Sequence, residues 1–222
     1  MGIFSIFGSG MSATEILIYL GAWFIAITVA LVVHEWAHSY AAVKMGDNTP
    51  KLAGRLSINP ARHFDPIGFL CLALIGFGWA KPVPINPNNF RNIKKGEILV
   101  SISGILANLI LFVVFTFLFV VCALFLDPNV LILKFFIYLC EFLATINFVL
   151  AVFNILPIYP LDGFNLVASF CRYDNKFVVF MHKYGSILLL VLLLAGAFSW
   201  LINLLYANVF LNLVALFSMI FV

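Results

Sequence analysis

The chain has 222 residues, of which 64% are apolar and 9% charged, against roughly 45–50% apolar and about 25% charged in an ordinary soluble domain. A water-soluble globule is excluded by that ratio, and 25 Phe exclude a disordered chain, because such a sequence collapses instead of staying solvated. Twelve Lys and Arg against nine Asp and Glu leave a net charge of +3, too small and too scattered for a nucleic-acid surface. The class that remains is an all-α polytopic membrane protein.

In chain order, the amino terminus comes first. It has no basic segment of the kind that opens a cleaved signal peptide, so it is expected to stay on, and Ile6 stands where a myristoylation signal needs Ser or Thr. A spanning helix needs roughly 20 apolar residues. Residues 16–33 form the first such run, and its helical pattern continues through HEWAHSYAAVKM to Gly46, Asp47 and Asn48, residue types that suit a helix end. Residues 67–79 are too few to cross and too apolar for water, which predicts a short re-entrant or β-hairpin-like membrane-associated segment. Residues 98–126 are the second span, ended by Asp127 and Pro128. Residues 131–157 are the third, interrupted by Lys134 and Glu141. Residues 184–222 carry no charge and are long enough for two more spans turning near 203–208. The expected total is about five transmembrane helices in one domain, 1–222, with a catalytic core at about 15–170 and C-terminal helices at 184–222. Cys71, Cys122, Cys140 and Cys171 have no C-x-x-C spacing, so neither a disulfide framework nor a cysteine metal site is indicated.

Lys and Arg gather at 44–62, 81–95 and 172–183, which should therefore face the cytoplasm, while the start of the chain and the 127–130 connector should face the other side.

The chemistry begins at the inner end of the first span. His34 and His38 stand at i and i+4, on one helix face, so two imidazoles can bind one Zn²⁺, and Glu35 between them is placed to take a proton from the attacking water. Ionisable residues within a membrane helix are costly and by default functional; the bland alternative is a helix end already among the headgroups. Two histidines and a water leave a tetrahedral zinc one protein ligand short. Glu15 and Asp127 belong to the far side, and Asp47 is too close in sequence to fold back. Asp162 stands out, because FNILPIYPLDGFNL breaks the helix at Pro157 and Pro160, and irregular backbone at membrane depth is tolerated only beside protein or a cavity. An ordinary helix-capping Asp is the competing explanation.

HEWAH together with FNILPIYPLDG resembles the site-2 protease family, intramembrane zinc metalloproteases marked by H-E-x-x-H and N-x-x-P-x-x-x-L-D-G. Residues 54–66, 78–91 and 101–108 are similar to the family's intervening segments, so the resemblance covers about 30–165. It implies zinc held by His34, His38 and Asp162, Glu35 as general base, and transmembrane proteins as substrates within the lipid bilayer. Ile105 and Tyr159 depart from the pattern at positions where Pro is common. The expected setting is the cell membrane of a prokaryote, with the site toward the cytoplasm.

Other polar residues carry smaller expectations. Asn154 is a candidate oxyanion or substrate contact, with an interhelical hydrogen bond as the alternative. His63 and Asp65 are a candidate loop-locking pair, Asn108 and Asn147 are expected to serve helix packing, His182 is expected to be solvated, and Glu141 has no assigned role. Residues 51–58 and 79–85, rich in Gly and Pro, are expected to offer an edge strand to an unwinding substrate. Two alternatives use the same residues: a cation or proton transporter built on buried His, Glu and Asp, and a catalytically silent scaffold of the protease fold.

Overall fold

A computed structural model describes residues 10–68, 71, 78, 80–172 and 174–221. Helix α1 spans Ala13–Met45 and α2 spans Thr49–Leu52. Single 3₁₀ turns follow at Pro60–Arg62 and Pro87–Asn89. Then come α3 (Ile93–Phe125), α4 (Leu131–Asn154), α5 (Asp162–Ala168), α6 (Lys176–Leu194) and α7 (Ala197–Ser218). Five of these, α1, α3, α4, α6 and α7, are long and apolar enough to cross a membrane. The chain is thus an all-helical, integral membrane protein. The expected re-entrant segment lies almost wholly outside the described residues.

Local chemistry sets the helix ends. Ser12 and Glu15 form a capping box at the start of α1: Ser12 Oγ accepts from the Glu15 N–H at 3.3 Å, and the Ser12 N–H donates to Glu15 Oε2 at 3.0 Å, so two of the donors left over at a helix start are satisfied reciprocally. At the other end Gly46 adopts φ +113° and closes α1 on Ala42 and Val43, a left-handed position that glycine takes without penalty. Asn92 caps α3 and Asn175 caps α6 through their side-chain oxygens.

Three helices form the centre, and their contact surfaces follow a four-residue step. In α1 the buried stripe is Ala22, Ala26, Ala30, His34, His38 and Ala42; in α3 it is Gly96, Val100, Gly104, Asn108, Phe112 and Thr116. Rows at i±4 are the ridges by which helices interlock, and small residues on them let backbones approach closely where lipid gives no hydrophobic drive. Helix α4 adds Ala144, Asn147, Phe148 and Ala151. At the opposite end of the bundle from the His pair, Lys134 of α4 is paired with Glu15 of α1, which accounts for a charge inside the third span.

Two expectations are corrected here. The last two spans do not turn near 203–208, which lies inside α7; the turn is at Ala195 and Gly196, where Gly196 has φ +72°, and α6 begins at Lys176, earlier than the uncharged run suggests. No strand occurs among the described residues. Lys51 and Leu52 belong to α2, nucleated by Pro50 at its start, and Gly54 turns the chain with φ +68°, so residues 51–58 offer no edge for pairing. Residues 80–86 carry no regular structure.

Candidate metal centre

The stripe on α1 places both histidines against α3. His34 and His38 are buried, and their Nε2 atoms lie 3.0 Å apart. Between them and the α3 backbone stands Gly104, where a Cβ would sit 2.5 Å from His38 Nε2 and 2.6 Å from His34 Cε1. Only glycine leaves the imidazoles their room.

Asp162 arrives from below the end of α4. Pro157 and Pro160 end that helix, the Tyr159–Pro160 peptide is cis, and Asp162 becomes the first residue of α5. Gly163 makes this possible by close approach and not by an unusual dihedral: a Cβ there would lie 2.1 Å from the Ile155 carbonyl oxygen. Asp162 Oδ2 therefore comes within 3.2 Å of His34 Nε2 and 3.1 Å of His38 Nε2.

The hydrogen bonds around the rings settle where their protons are. His34 Nδ1 is 2.6 Å from Asn108 Oδ1, and His38 Nδ1 is 2.8 Å from the Val100 carbonyl oxygen. Both partners are acceptors, so each Nδ1–H donates and each neutral ring turns an Nε2 lone pair inward. Asp162 Oδ2 is buried and has no hydrogen-bond partner among the described residues. Three acceptor atoms thus converge at 3.0–3.2 Å with no hydrogen between them in the neutral state, a cluster that a cation relieves. Bond lengths near 2 Å in a tetrahedral zinc site put ligand atoms about 3.3 Å apart, and two imidazoles with one carboxylate are a catalytic zinc donor set that keeps a fourth position open. The residues fit the metal. Among the described residues this is the one group of three or more His, Cys, Asp or Glu poised to hold an ion.

Comparison with known proteins also points to zinc. The chain is 35% identical over 182 residues to the Bacillus subtilis protein named "Putative zinc metalloprotease YwhC", a match covering 80% of this chain and 82% of that protein. The profile of peptidase family M50 matches residues 129–195, from the start of α4 through Asp162 to the end of α6. The chain belongs to peptidase family M50. Other relatives are "Putative zinc metalloprotease Rip2" of Mycolicibacterium smegmatis, 27% identical over 85% of this chain and 74% of that protein, and "Zinc metalloprotease MJ0392" of Methanocaldococcus jannaschii, 27% identical over 94% of this chain and half of that protein. No solved structure matches the chain significantly. The M50 assignment agrees with the site-2 protease resemblance carried by HEWAH and the LDG segment, and makes the chain a membrane peptidase.

The remaining candidates separate from the cluster. Glu35 is half-buried beside the ligands, and no hydrogen bond to its carboxylate is formed among the described residues. Asn154 donates to Leu150 O of its own helix at 3.0 Å and is not among the ligand group. His63 is buried and donates through Nε2 to Ser57 O, whereas Asp65 Oδ1 accepts from the N–H groups of Ile67 and Gly68; each fastens its own stretch of loop, and they do not pair. His182 is exposed at one edge, yet its ring packs 5.0 Å from both Tyr159 and Phe164, centroid to centroid, so it braces the segment that carries Asp162. Asn108 and Asn147, expected to serve helix packing, do bond between helices, and Asn108 also meets His34 Nδ1. Their signal in the sequence is positional: Asn108 falls on the same four-residue ridge as Gly104.

Proposed function

We propose that this M50 protein is an intramembrane zinc metalloprotease of the site-2 type, hydrolysing peptide bonds within or near transmembrane segments of membrane proteins. The observation that carries the proposal is the convergence of His34 Nε2, His38 Nε2 and Asp162 Oδ2 inside a helical bundle long and apolar enough to span a bilayer. The names of the relatives point to the same chemistry.

His34, His38 and Asp162 hold the metal, and the chemistry zinc supplies in such a ligand set is Lewis-acid activation of a water and of the scissile carbonyl. Glu35 takes the proton from the attacking water and delivers it to the leaving amine, the work of a general base that becomes a general acid. Its partly buried carboxylate has no hydrogen-bond partner among the described residues and is free to do so, in contrast to Asp162, which faces both rings. Asn154 serves substrate alignment or the oxyanion from the rim, with its Oδ1 not engaged by the helix bond its amide makes. The bundle limits bulk water at the site, because His38 and His34 lie seven and eleven residues, or roughly 10 and 16 Å, from the end of α1 at Met45.

The basic segments following α1 and preceding α3 and α6 support a cytoplasmic placement of this end of the bundle in a prokaryotic cell membrane, in which cleavage releases the cytoplasmic portion of a substrate. Co-expression with single-span membrane proteins tests the activity: a fragment made by the wild type and missing with Glu35→Gln supports it, and equal fragments with both proteins reject it. Cysteine labelling in intact cells tests the orientation, with Pro128 reacting from outside and Arg91 and Lys176 protected. External reaction at Arg91 would invert the topology.

A further inference from the structure

Behind His34 stand two buried side-chain amides, one from each of two neighbouring helices. Asn108 of α3 and Asn147 of α4 have no solvent exposure. The Asn108 amide nitrogen donates to Asn147 Oδ1 at 2.7 Å and to Ala30 O of α1 at 3.3 Å, and the Asn147 nitrogen donates to Leu143 O at 2.7 Å. With acceptors on both sides of its nitrogen, Asn108 cannot turn its amide over without setting oxygen against oxygen. Its Oδ1 is therefore held toward His34 Nδ1 at 2.6 Å. A ring nitrogen facing a fixed acceptor must carry the proton, which leaves the opposite nitrogen as a lone-pair donor.

We propose that Asn147 and Asn108 form a positioning relay that selects the metal-binding tautomer and orientation of His34, so that the packing of α1, α3 and α4 decides how tightly the ion is held. Neither residue touches the reacting atoms. His38 obtains the same service from a backbone group, the Val100 carbonyl, which no side-chain substitution removes. The two histidines are thereby unequal: His34 depends on side chains of two other helices, and His38 chiefly on a backbone oxygen of α3, with Ser103 Oγ, itself donating to that oxygen, 3.3 Å from the same Nδ1. An amide pair used only as interhelical glue would need no particular face turned toward an imidazole.

The inference rests on the zinc reading above, and the test separates the two. The full chain, purified in detergent, is titrated with Co²⁺ for its ligand-field absorption and with Zn²⁺ against a chromophoric chelator, with helix content checked by circular dichroism. Asn108→Leu, similar in volume and without an acceptor, should weaken Zn²⁺ binding about 10–100-fold, the loss usual when a group orienting a ligand is removed. Asn108→Asp keeps an acceptor toward His34 and should bind distinctly more tightly than Asn108→Leu. Asn147→Leu, which frees the Asn108 amide to turn, should fall between Asn108→Leu and wild type. If Asn108→Leu does not purify as a helical protein, the Asn147→Leu and Asn108→Asp comparison with wild type decides. Equal Zn²⁺ affinity in wild type, Asn147→Leu and whichever Asn108 variants fold would overturn the relay while leaving the zinc reading intact. A wild-type chain that binds neither metal would overturn the zinc reading itself.

Discussion

The bundle of α1, α3 and α4 and the pair α6 and α7 are built from similarly apolar sequence, yet they bury different things. In the first, the interior includes His34, His38, Ser39, Ser101, Asn108, Thr116 and Asn147. In the second, the buried residues of the helices are Val178, Gly185, Leu189, Phe198 and Phe210, none of them polar in its side chain, while Leu194 and Trp200 are 81% and 68% exposed. A polar group in a membrane interior is retained where it meets a partner or does chemistry. The bundle thus holds the site by specific polar contacts on closely packed ridges, and the pair packs beside it mainly by apolar contact, with one hydroxyl bond between Tyr206 and Thr145, largely facing what would be lipid. Changes in the two regions should differ in kind.

The greatest effect is expected where the bundle leaves no room. Gly104→Leu would drive a side chain into both imidazoles, since even a Cβ meets His38 Nε2 at 2.5 Å, and should abolish stoichiometric zinc in elemental analysis, as should His34→Ala, His38→Ala or Asp162→Ala. Full zinc in purified Asp162→Ala would remove that residue from the site.

Next comes a change in chemistry without a change in metal. Glu35→Gln should keep zinc and lose about 10²–10⁴-fold in cleavage rate, the range that general acid–base catalysis supplies. Loss of zinc together with activity would make Glu35 a ligand instead.

A smaller effect is expected at the inner rim, where Asp47 ties the end of α1 to the segment before α3. Its carboxylate accepts from Thr49 N–H and Oγ, Asn86 N–H and Asn89 Nδ2. Asp47→Ala strands several of those donors and should cost about 2–3 kcal/mol, near the penalty for unpaired buried groups, measured as a shift in thermal unfolding of the detergent-solubilised chain. Burial alone would raise the Asp47 pKa, but these hydrogen bonds outweigh it and hold the carboxyl below the usual carboxylate range. A depressed folded-state pKa stabilises the fold above the unfolded value and loses that contribution only as pH falls through the lower, folded one. Stability from this clasp should therefore be flat from pH 8 to about pH 5, and the difference between wild type and Asp47→Ala should shrink only below about pH 4. A difference that shrinks between pH 8 and 6 would contradict the assignment.

The smallest effect belongs to the lipid-facing pair. Leu211, 61% exposed on α7, should tolerate Ala within about 0.5 kcal/mol and leave zinc affinity unchanged; a marked loss of zinc would show that α7 supports the site after all.

The amino-acid sequence by itself determined the class and the approximate spans, and it named the three candidate ligands that the fold brings together. Apolar runs of spanning length are a local property, and the i, i+4 spacing of His34 and His38 fixes their common face whatever surrounds them. The LDG segment announced itself by prolines that no helix continues past. Uncharged sequence, by contrast, does not mark where one helix stops: the break at Gly196 depends on a single left-handed residue, and Asn203 and Asn208, which look like turn residues, sit within α7. Nor could spacing tell that Cys122 and Cys140 of neighbouring helices bring their sulfurs to 3.9 Å. Only the tertiary structure decided that Gly104 is an absence of side chain required by two imidazoles, that Gly163 serves close approach, and that Asn108 faces His34 with Asn147 behind it. Those facts depend on which ridges meet across α1, α3 and α4, and a pairing between residues 39 or 74 positions apart leaves no trace in the periodicity of any one helix.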